Sequence, residues 1–283
     1  MKKSIILWLI AFILTAATAV YQRVTGPTYP VSGKVHLGNE LINYHLDRTH
    51  GGEGNHPIEI KVDDEKICGE LYWKRYKTND DWTSVEMKRK DGKLIASLPH
   101  QPSAGKLLYK VILQKDDKVA VLPVEHGVII RFKGDVPIIF LIPHIIFIFG
   151  AMLLSTRTGL EYFNKGKKFK PLTILTFIFV IIGGFILGPI VQYYAFGVFW
   201  TGFPFGYDLT DNKVLIGFIG WLLALIAVYQ FKNPRRWIVF ASVLMFIIFL
   251  IPHSLLGSEL DYNKLDQNKI INESESSHLL NEK

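Results

Sequence analysis

The sequence predicts a membrane α-helical bundle with an all-β sandwich inserted near its beginning. Four nearly uncharged apolar segments have the length of about 18 to 22 residues that a bilayer core requires, at 136–155, 171–192, 214–231 and 237–255. Residues 31–133 are instead polar, mixed in charge and divided into short alternating runs by turn signals. With 49% hydrophobic residues, the chain is too apolar for an ordinary soluble domain.

A fifth apolar segment begins the chain, MKKSIILWLIAFILTAATAV. One interpretation is an uncleaved membrane anchor, because the apolar residues extend to Val20 and just span a bilayer with some tilt. The other is a signal peptide, since Ala17-Thr18-Ala19 is an acceptable small-residue cleavage site after a short apolar region. The anchor is favoured, and both interpretations place residue 30 onward outside the cytoplasm.

These segments divide the chain into four parts. We expect an N-terminal anchor or signal helix at 1–27 and an extracytoplasmic β-sandwich at 28–133. A four-helix transmembrane domain follows at 134–256, so that the bundle has four helices plus the N-terminal one. The polar segment 257–283 is predicted to be a disordered tail.

Basic residues predict the orientation of the helices. The connection 156–170 contains five lysines and arginines and 231–236 contains three, whereas 193–213 contains only Lys213. By the positive-inside rule, the sandwich, the 193–213 connection and the tail share the outer side of the membrane. The net charge of +7 then reflects topology and contact with the lipid bilayer, not nucleic-acid binding.

The polar region reads as a series of short strands. The candidates are VSGKVHL, LINYHLD, IEIKV, CGELYWKRY, WTSVEMK, KLIASL, LLYKVIL, KVAVL and GVIIRF, and Asp91-Gly92 between two of them is a hairpin turn. Trp73 and Trp82 are expected to be core or half-buried packing residues. Cys68 is the single cysteine, so no internal disulfide can form, and we expect it to be a small buried side chain.

The run WTSVEMKRKDGKLIASLPHQPSAGKLLYKVIL resembles the later strands of immunoglobulin-like and fibronectin type III modules. Such modules have a tryptophan, a hairpin, a proline-rich turn and then a glycine before a tyrosine-containing strand. Those places are taken here by Trp82, Asp91-Gly92, Pro99, Pro102, Gly105 and Tyr109. The resemblance implies an immunoglobulin-like fold for about 100 residues, a fold that serves adhesion, spacing and docking alike.

A glycine-rich turn contains His50, Glu53 and His56, three side chains of types that bind metal ions. Their spacing matches no established zinc pattern, so a solvated turn is the favoured interpretation and no metal site is predicted.

The candidate site lies around Tyr193–Lys213, which we call the aromatic loop. It contains Trp200, three glycines and the acids Asp208 and Asp211. The tetrapeptide Leu-Ile-Pro-His occurs twice in apolar segments, ending at His144 and His253. Since ionisable residues in membrane helices are functional candidates, one interpretation is that the two imidazoles bind haem b, a quinone or a metal ion beneath this loop.

A structural interpretation competes with the cofactor site. In this interpretation each Pro-His pair accommodates a helix kink, and the imidazole bonds to a carbonyl that proline has freed or to interfacial water. Asp208 and Asp211 are then caps of the following helix, and the loop aromatics anchor in lipid headgroups. Both interpretations require that the apolar aromatic surface be covered by protein, ligand or bilayer.

The stretch AFGVFWTGFPFGYDLTDNKVLIGFIGWLLALI resembles the tryptophan-rich outer loop of the haem-handling proteins of cytochrome c maturation. The matching positions are Gly197, Trp200, Pro204, Asp208, Asp211, Trp221 and Leu222. The family's Trp-Asp-Pro core is absent here. The resemblance covers about 30 residues and implies haem binding by histidines of the flanking helices.

Taken whole, the chain resembles uncharacterised multi-pass inner-membrane proteins of Bacteroidota that carry an immunoglobulin-like domain after a first helix. No nucleophile, metal or nucleotide motif is complete, so no catalytic residue is assigned. The favoured function is a non-catalytic accessory or scaffolding subunit of the cell envelope, which docks another envelope protein through its outer β domain. The alternative is a redox protein that binds haem b or a quinone with His144 and His253.

Overall fold

The chain divides into two units, each with its own core. The computed structural model describes residues 2–124, 126–165, 167–252, 257 and 259–281. A helical unit comprises Met1–Tyr29 and Asp135–Ser258, and a β unit comprises Pro30–Gly134 and Glu259–Lys283.

The described residues of the helical unit form six α-helices. They are α1 Lys2–Thr25, α2 Ile138–Leu160, α3 Phe169–Val180, α4 Gly188–Phe196, α5 Leu209–Gln230 and α6 Arg235–Leu250. A 3-10 turn, Glu161–Asn164, follows α2, and a π-helical segment, Ile181–Leu187, joins α3 to α4. By length and composition, four helical stretches can cross a membrane: Lys2–Thr25, Ile138–Asn164, Phe169–Phe196 and Leu209–Gln230. Helices of membrane-crossing length are therefore confirmed for four of the five predicted segments.

Helix α6 is shorter than the predicted segment 237–255. It has 16 residues, which corresponds to about 24 Å, against about 30 Å for the hydrocarbon core of a bilayer. Ile251 takes an extended conformation with ψ of 121°, because the following Pro252 disfavours helical geometry in the residue before it. The proline therefore ends the helix that the run of apolar residues predicted to continue.

Small residues bring the helices of this unit close together. Trp221 of α5 is fully buried in a cluster with Ala151, Ala224 and Ala241. A Cβ built on Gly184 would lie 2.6 Å from the side chain of Val214, so only glycine permits this approach of the π-helical segment to α5.

Helix α1 buries one narrow stripe of its surface. Leu7, Ala11, Thr15 and Thr18 are each at most 8% exposed and recur every three or four residues, which places them on one helix face. Near the end of α1, the Gln22 amide donates a hydrogen bond to the carbonyl of Phe249 in α6.

Eleven strands and one helix lie in the part of the β unit that the structure describes. The strands are β1 Val31–Leu37, β2 Glu40–Leu46, β3 Thr49–Gly51, β4 His56–Lys61, β5 Cys68–Arg75, β6 Thr83–Glu86, β7 Lys88–Lys90, β8 Lys93–Leu98, β9 Lys106–Lys115, β10 Lys118–Leu122 and β11 Val128–Lys133. They form the hairpin β1-β2, the three-stranded sheet β4-β8-β7 and a sheet in the order β3-β11-β9-β5-β6, with β10 paired to β9. All pairs are antiparallel except β11 with β3.

One hydrophobic core serves the sheets of the β unit. Along β9, inward residues alternate with partly exposed ones, as the two-residue period of a strand requires. Tyr109 of this strand is fully buried, and its hydroxyl donates a 2.8 Å hydrogen bond to the carbonyl of Asp47. Trp73 packs against the core, whereas Trp82 is 39% exposed.

The expected burial of Cys68 is wrong. The thiol is exposed at the start of β5, and the buried positions are its neighbours Ile67 and Gly69. Because successive side chains of a strand point to opposite faces, an inward Gly69 forces Cys68 outward.

The expected disorder of the tail is also wrong. Tyr262–Asn281 forms helix α7, and its beginning packs on the strands of the β unit. The Tyr262 side chain is 4% exposed there. A polar composition predicted disorder because the contacts that order this segment come from residues distant in sequence.

We expect α1 to remain on the mature protein. Cleavage after Ala19 would remove the buried stripe that packs on α2 and, with it, the van der Waals packing that holds helices together in a bilayer. Intact-mass measurement of protein purified from membranes should therefore find residues 2–19 still attached. A mature chain that begins at Val20 would contradict this packing.

Candidate functional site

The carboxylate of Asp211 holds the aromatic loop onto the first turn of α5. Its Oδ2 accepts hydrogen bonds from the backbone N–H groups of Thr201 at 2.6 Å and Gly202 at 3.0 Å. The same oxygen accepts from the Thr201 hydroxyl at 3.2 Å and from the Gln192 amide of α4 at 3.1 Å. Asp211 is 5% exposed. It is therefore a buried acceptor that joins α4, the loop and α5.

Two neighbouring residues complete this attachment. Asp208 is the N-cap of α5, and its Oδ1 accepts from the N–H groups of Thr210 at 2.7 Å and Asp211 at 3.4 Å. The Asn212 Oδ1 accepts from the Phe203 N–H at 2.8 Å. The two acids thus have different roles, since Asp208 caps the helix whereas Asp211 bonds mainly to the loop.

The aromatic side chains of the loop divide into two groups. Trp200 stacks on Phe185 of the π-helical segment, with ring centres 5.6 Å apart, and its Nε1 donates to the Phe203 carbonyl. In contrast, Phe203, Phe205 and Tyr207 are 65%, 83% and 93% exposed. The loop itself leaves this second group uncovered, an arrangement typical of aromatic side chains at a membrane interface.

His144 bonds to another helix. Its Nδ1 lies 3.0 Å from the carbonyl of Gly183 in the π-helical segment, so this nitrogen carries the proton and donates. The Gly183 carbonyl also accepts from the N–H of Gly188, as the π-helical pairing requires. The predicted bond to a carbonyl freed by Pro143 is therefore replaced by a bond to a carbonyl of the π-helical segment. The tautomer leaves Nε2 of His144 as an acceptor.

The five predicted site residues are only partly brought together. Trp200, Asp208 and Asp211 all lie in the aromatic loop. His144 instead forms its hydrogen bond with Gly183, in the π-helical segment. His253 lies outside the described residues. The described residues therefore offer a haem or a metal ion one imidazole from this set, and the carboxylate oxygen Oδ2 of Asp211 is already engaged by four donors.

A buried ion pair lies at the other end of the helical unit. Arg157 and Glu161 are both fully buried, with Nη1 and Oε2 2.7 Å apart, although the N–H bonds do not point at the oxygen and the contact is one of charge. Arg157 also donates to the Ser4 hydroxyl at 3.3 Å and lies over the ring of Trp8. In the sequence, Arg157 looked like part of a connection. Its four-residue spacing to Glu161 was the signal that could have indicated an ion pair on one helix face.

Lys213 was likewise counted as a loop charge. It is 9% exposed in α5, and its Nζ donates to the carbonyls of Ile251 at 2.9 Å and Pro252 at 3.4 Å. These carbonyls follow the end of α6, where backbone acceptors lack helical partners. Lys213 of α5 thus acts as a side-chain cap for the C-terminal end of the neighbouring helix α6.

The beginning of α7 is held on the β unit by the contacts of Tyr262. The Tyr262 hydroxyl donates to Gln101 Oε1 at 2.9 Å, and the Arg75 guanidinium lies 5.1 Å from its ring centre. Gly105 provides the room, because a Cβ there would lie 2.8 Å from the Tyr262 hydroxyl. Burial raises the pKa of Tyr262 to about 12.

Ion pairs on both sides of Tyr262 also hold the beginning of α7 on the β unit. Glu259 pairs with Lys77 at 2.9 Å and with Lys106 at 3.3 Å, and Asp266 pairs with Arg75 at 2.8 Å. Burial alone raises the pKa of Glu259, but hydrogen bonds and attraction from the two lysines outweigh it and leave that pKa below its usual value. The carboxylate is therefore charged when it pairs.

Two histidines at the ends of the glycine-rich turn in the β unit lie in contact. His50 and His56 bring their Nδ1 atoms to 3.1 Å, and Asp47 lies 3.7 Å from Nε2 of His56. Glu53 is exposed. Burial, and next the charge of His50, lower the pKa of His56. Within the described residues, no three His, Cys, Asp or Glu side chains form a complete metal-binding group.

No known family model and no curated protein sequence matches this chain.

We expect replacement of Asp211 to loosen the aromatic loop. Asp211→Ala removes the acceptor of the buried Gly202 N–H and of the partly buried Thr201 N–H, a cost of about 1–3 kcal/mol for each unmet group, and one of the two acceptors of the Gln192 amide. The matched control Asp208→Ala removes one N-cap, at about 1 kcal/mol.

Thermal unfolding in detergent should therefore show a larger decrease in Tm for Asp211→Ala than for Asp208→Ala. Hydrogen exchange at 201–203 should rise at the same time. Equal shifts for the two variants would show that the loop does not depend on this carboxylate.

Proposed function

We propose that the protein is an integral protein of the inner (cytoplasmic) membrane, a non-catalytic accessory or scaffolding subunit that docks another envelope protein through its β unit. Four helical stretches of membrane-crossing length support the membrane assignment. The exposed apolar residues on these helices, such as Ile5, Phe12, Ile139 and Ile186, support it further, because water disfavours such surfaces.

The distribution of charge supports an orientation for the helices. The bond from Arg157 to Ser4 brings the start of α1 to the end of α2, and the bond from Gln22 brings its end to that of α6. The helical unit thus has two ends. Besides Arg157 itself, nine lysines and arginines accompany the first end, Lys2, Lys3, Lys165, Lys167, Lys168, Lys170, Lys232, Arg235 and Arg236, against Arg23 and Lys213 at the second. The first end is therefore assigned to the cytoplasm.

The attachment of α7 supports a complete crossing by α6. Strands and tail share one unit, so the chain between Asp135 and Glu259 crosses the membrane an even number of times. Two of the helical stretches there, Ile138–Asn164 and Phe169–Phe196, cross and return, and Leu209–Gln230 crosses again. The 16-residue α6 must then make the fourth crossing, with local thinning of the bilayer.

The strand order supports an immunoglobulin-like sandwich for the β unit. The sheet β4-β8-β7 has the connectivity of strands B, E and D of that fold, and β5-β9-β11 has that of C, F and G. A fold of this kind carries docking functions on its edges and loops without requiring catalysis.

An open sheet edge is the observation that carries the docking proposal. Strand β6 ends its sheet, and all four of its residues are exposed. Val85 is 37% exposed in it, and the adjoining Trp82 has Lys110 and Lys74 at 4.9 and 5.5 Å from its ring. Such an edge pairs with an added strand, and the two lysines favour an acidic partner.

The docking surface is tested with a photo-crosslinking residue at Val85 in the native membrane. We expect one defined adduct there and none at Ser97, an exposed position on the central strand β8. Absence of an adduct at Val85, or equal adducts at both positions, would contradict docking through β6.

Topology is tested with the native thiol. Cys68 is exposed and is the single cysteine, so a membrane-impermeant maleimide added to spheroplasts should label the unaltered protein. In a Cys68→Ser background, Lys167→Cys and Asn233→Cys should react only after the membrane is opened. Labelling of either from outside would reverse the orientation.

A second candidate is a redox protein that binds haem b or a quinone through His144 and His253. The observation in its favour is the Nε2 of His144, which the bond from Nδ1 to Gly183 leaves available as a ligand. A haem absorbance band that disappears in His144→Ala would favour it over the scaffolding function.

A further inference from the structure

The cluster around His50 and His56 places two ring nitrogens against each other. Their Nδ1 atoms are 3.1 Å apart, and the rings meet at 63°. The two residues come from the short strand β3 and the start of β4, with a glycine-rich turn between them. This contact is determined by the fold of the turn and is independent of the function proposed above.

The opposite nitrogen of each ring determines the tautomers. The Nε2 of His50 lies 3.2 Å from the carbonyl of Gly54, which can only accept, so this nitrogen carries a proton. A neutral His50 therefore presents a lone pair at Nδ1. The same carbonyl accepts from His100 Nδ1 at 3.1 Å, and the rings of His50 and His100 both lie against Phe132.

His56 then has two neutral tautomers, and each has a defect. With the proton on Nδ1, it bonds to His50, but its Nε2 lone pair faces the Asp47 carboxylate at 3.7 Å without a hydrogen bond in a side chain that is 8% exposed. With the proton on Nε2, the N–H dipole faces the Asp47 carboxylate at 3.7 Å, but two lone pairs then face each other across 3.1 Å. A cation between the Nδ1 atoms removes the second defect.

The separation suits a metal ion. Two imidazole nitrogens bound tetrahedrally to one zinc ion, at about 2.0–2.1 Å each, lie about 3.3 Å apart. The Gly54 carbonyl accepts from Nε2 of His50, as the outer partners of metal-binding histidines do, and the Asp47 carboxylate faces Nε2 of His56 at 3.7 Å, a charge contact without a hydrogen bond. The turn between the two histidines borders open space, since a Cβ built on Gly54 meets nothing within 4 Å, and His50 itself is only half-buried.

We propose that Nδ1 of His50 and Nδ1 of His56 bind one divalent transition-metal ion of the kind that prefers imidazole, such as Zn²⁺, with water completing the coordination. The chain supplies two ligands, which agrees with the absence of a complete three-residue group among the described residues. Two ligands give an exchangeable site of moderate affinity, in contrast to the closed four-ligand sites of structural zinc.

The test is calorimetric titration of ZnCl₂ into the full chain in detergent, purified without a histidine tag and stripped of metal with a chelator. We expect one zinc ion per chain and at least about tenfold weaker binding for His50→Ala. The control His36→Ala removes an exposed histidine of β1 outside the cluster and should bind zinc as the unaltered protein does.

His50 is the variant of choice because it is half-buried, whereas His56 is 7% exposed and its loss also perturbs the core. Thermal unfolding without zinc checks that His50→Ala is folded. A second readout is the rise in Tm on addition of ZnCl₂, which should occur in the unaltered protein and His36→Ala and be absent in His50→Ala. No zinc binding by the unaltered protein, or equal affinity in His50→Ala, overturns the proposal.

Discussion

The helical unit depends on finding partners for backbone groups that leave regular α-helical pairing. In apolar surroundings each unmet group costs several kcal/mol, so each irregularity requires a polar side chain nearby. His144 donates to the Gly183 carbonyl in the π-helical segment, and Lys213 donates to the carbonyls beyond α6. Asp211 accepts from the N–H groups of the aromatic loop. His144 and Asp211, which the sequence placed in a candidate cofactor site, thus form hydrogen bonds that hold irregular backbone in place.

In the β unit, polar and charged side chains hold helix α7 on the strands. Helix α7 has too few apolar residues to fold by itself, and among its described side chains Tyr262 supplies the buried contact. The flanking acids meet Lys77, Lys106 and Arg75, which belong to strands β5 and β9 or their ends. Charge alone would contribute little at an exposed surface, so burial of Tyr262 determines where the segment binds and the ion pairs determine its direction.

How far the sequence predicted the structure depends on the range of the contacts involved. Membrane-crossing lengths and strand alternation are local properties, and the segments from α1 to α5 and most strands were predicted from them. Partners across elements are not local. Lys213 looked like a loop charge because its acceptors lie 38 and 39 residues away, and Tyr262 looked unstructured because Gln101 lies 161 residues away. Cys68 was the local error, since the inward Gly69 has no side chain to reveal the alternation.

The buried pair of Arg157 and Glu161 is best understood as a determinant of register. A buried ion pair adds little net stability, since desolvation offsets the attraction, but removal of one partner costs about 3–5 kcal/mol. Glu161 Oε1 accepts from the Asn164 amide and the Lys168 N–H, which fixes the connection to α3. Arg157 meets Ser4 and Trp8, so α1 satisfies the pair in only one position along α2. An apolar stripe permits α1 to slide, whereas a buried guanidinium does not, and this pair therefore makes the N-terminal helix an integral part of the unit.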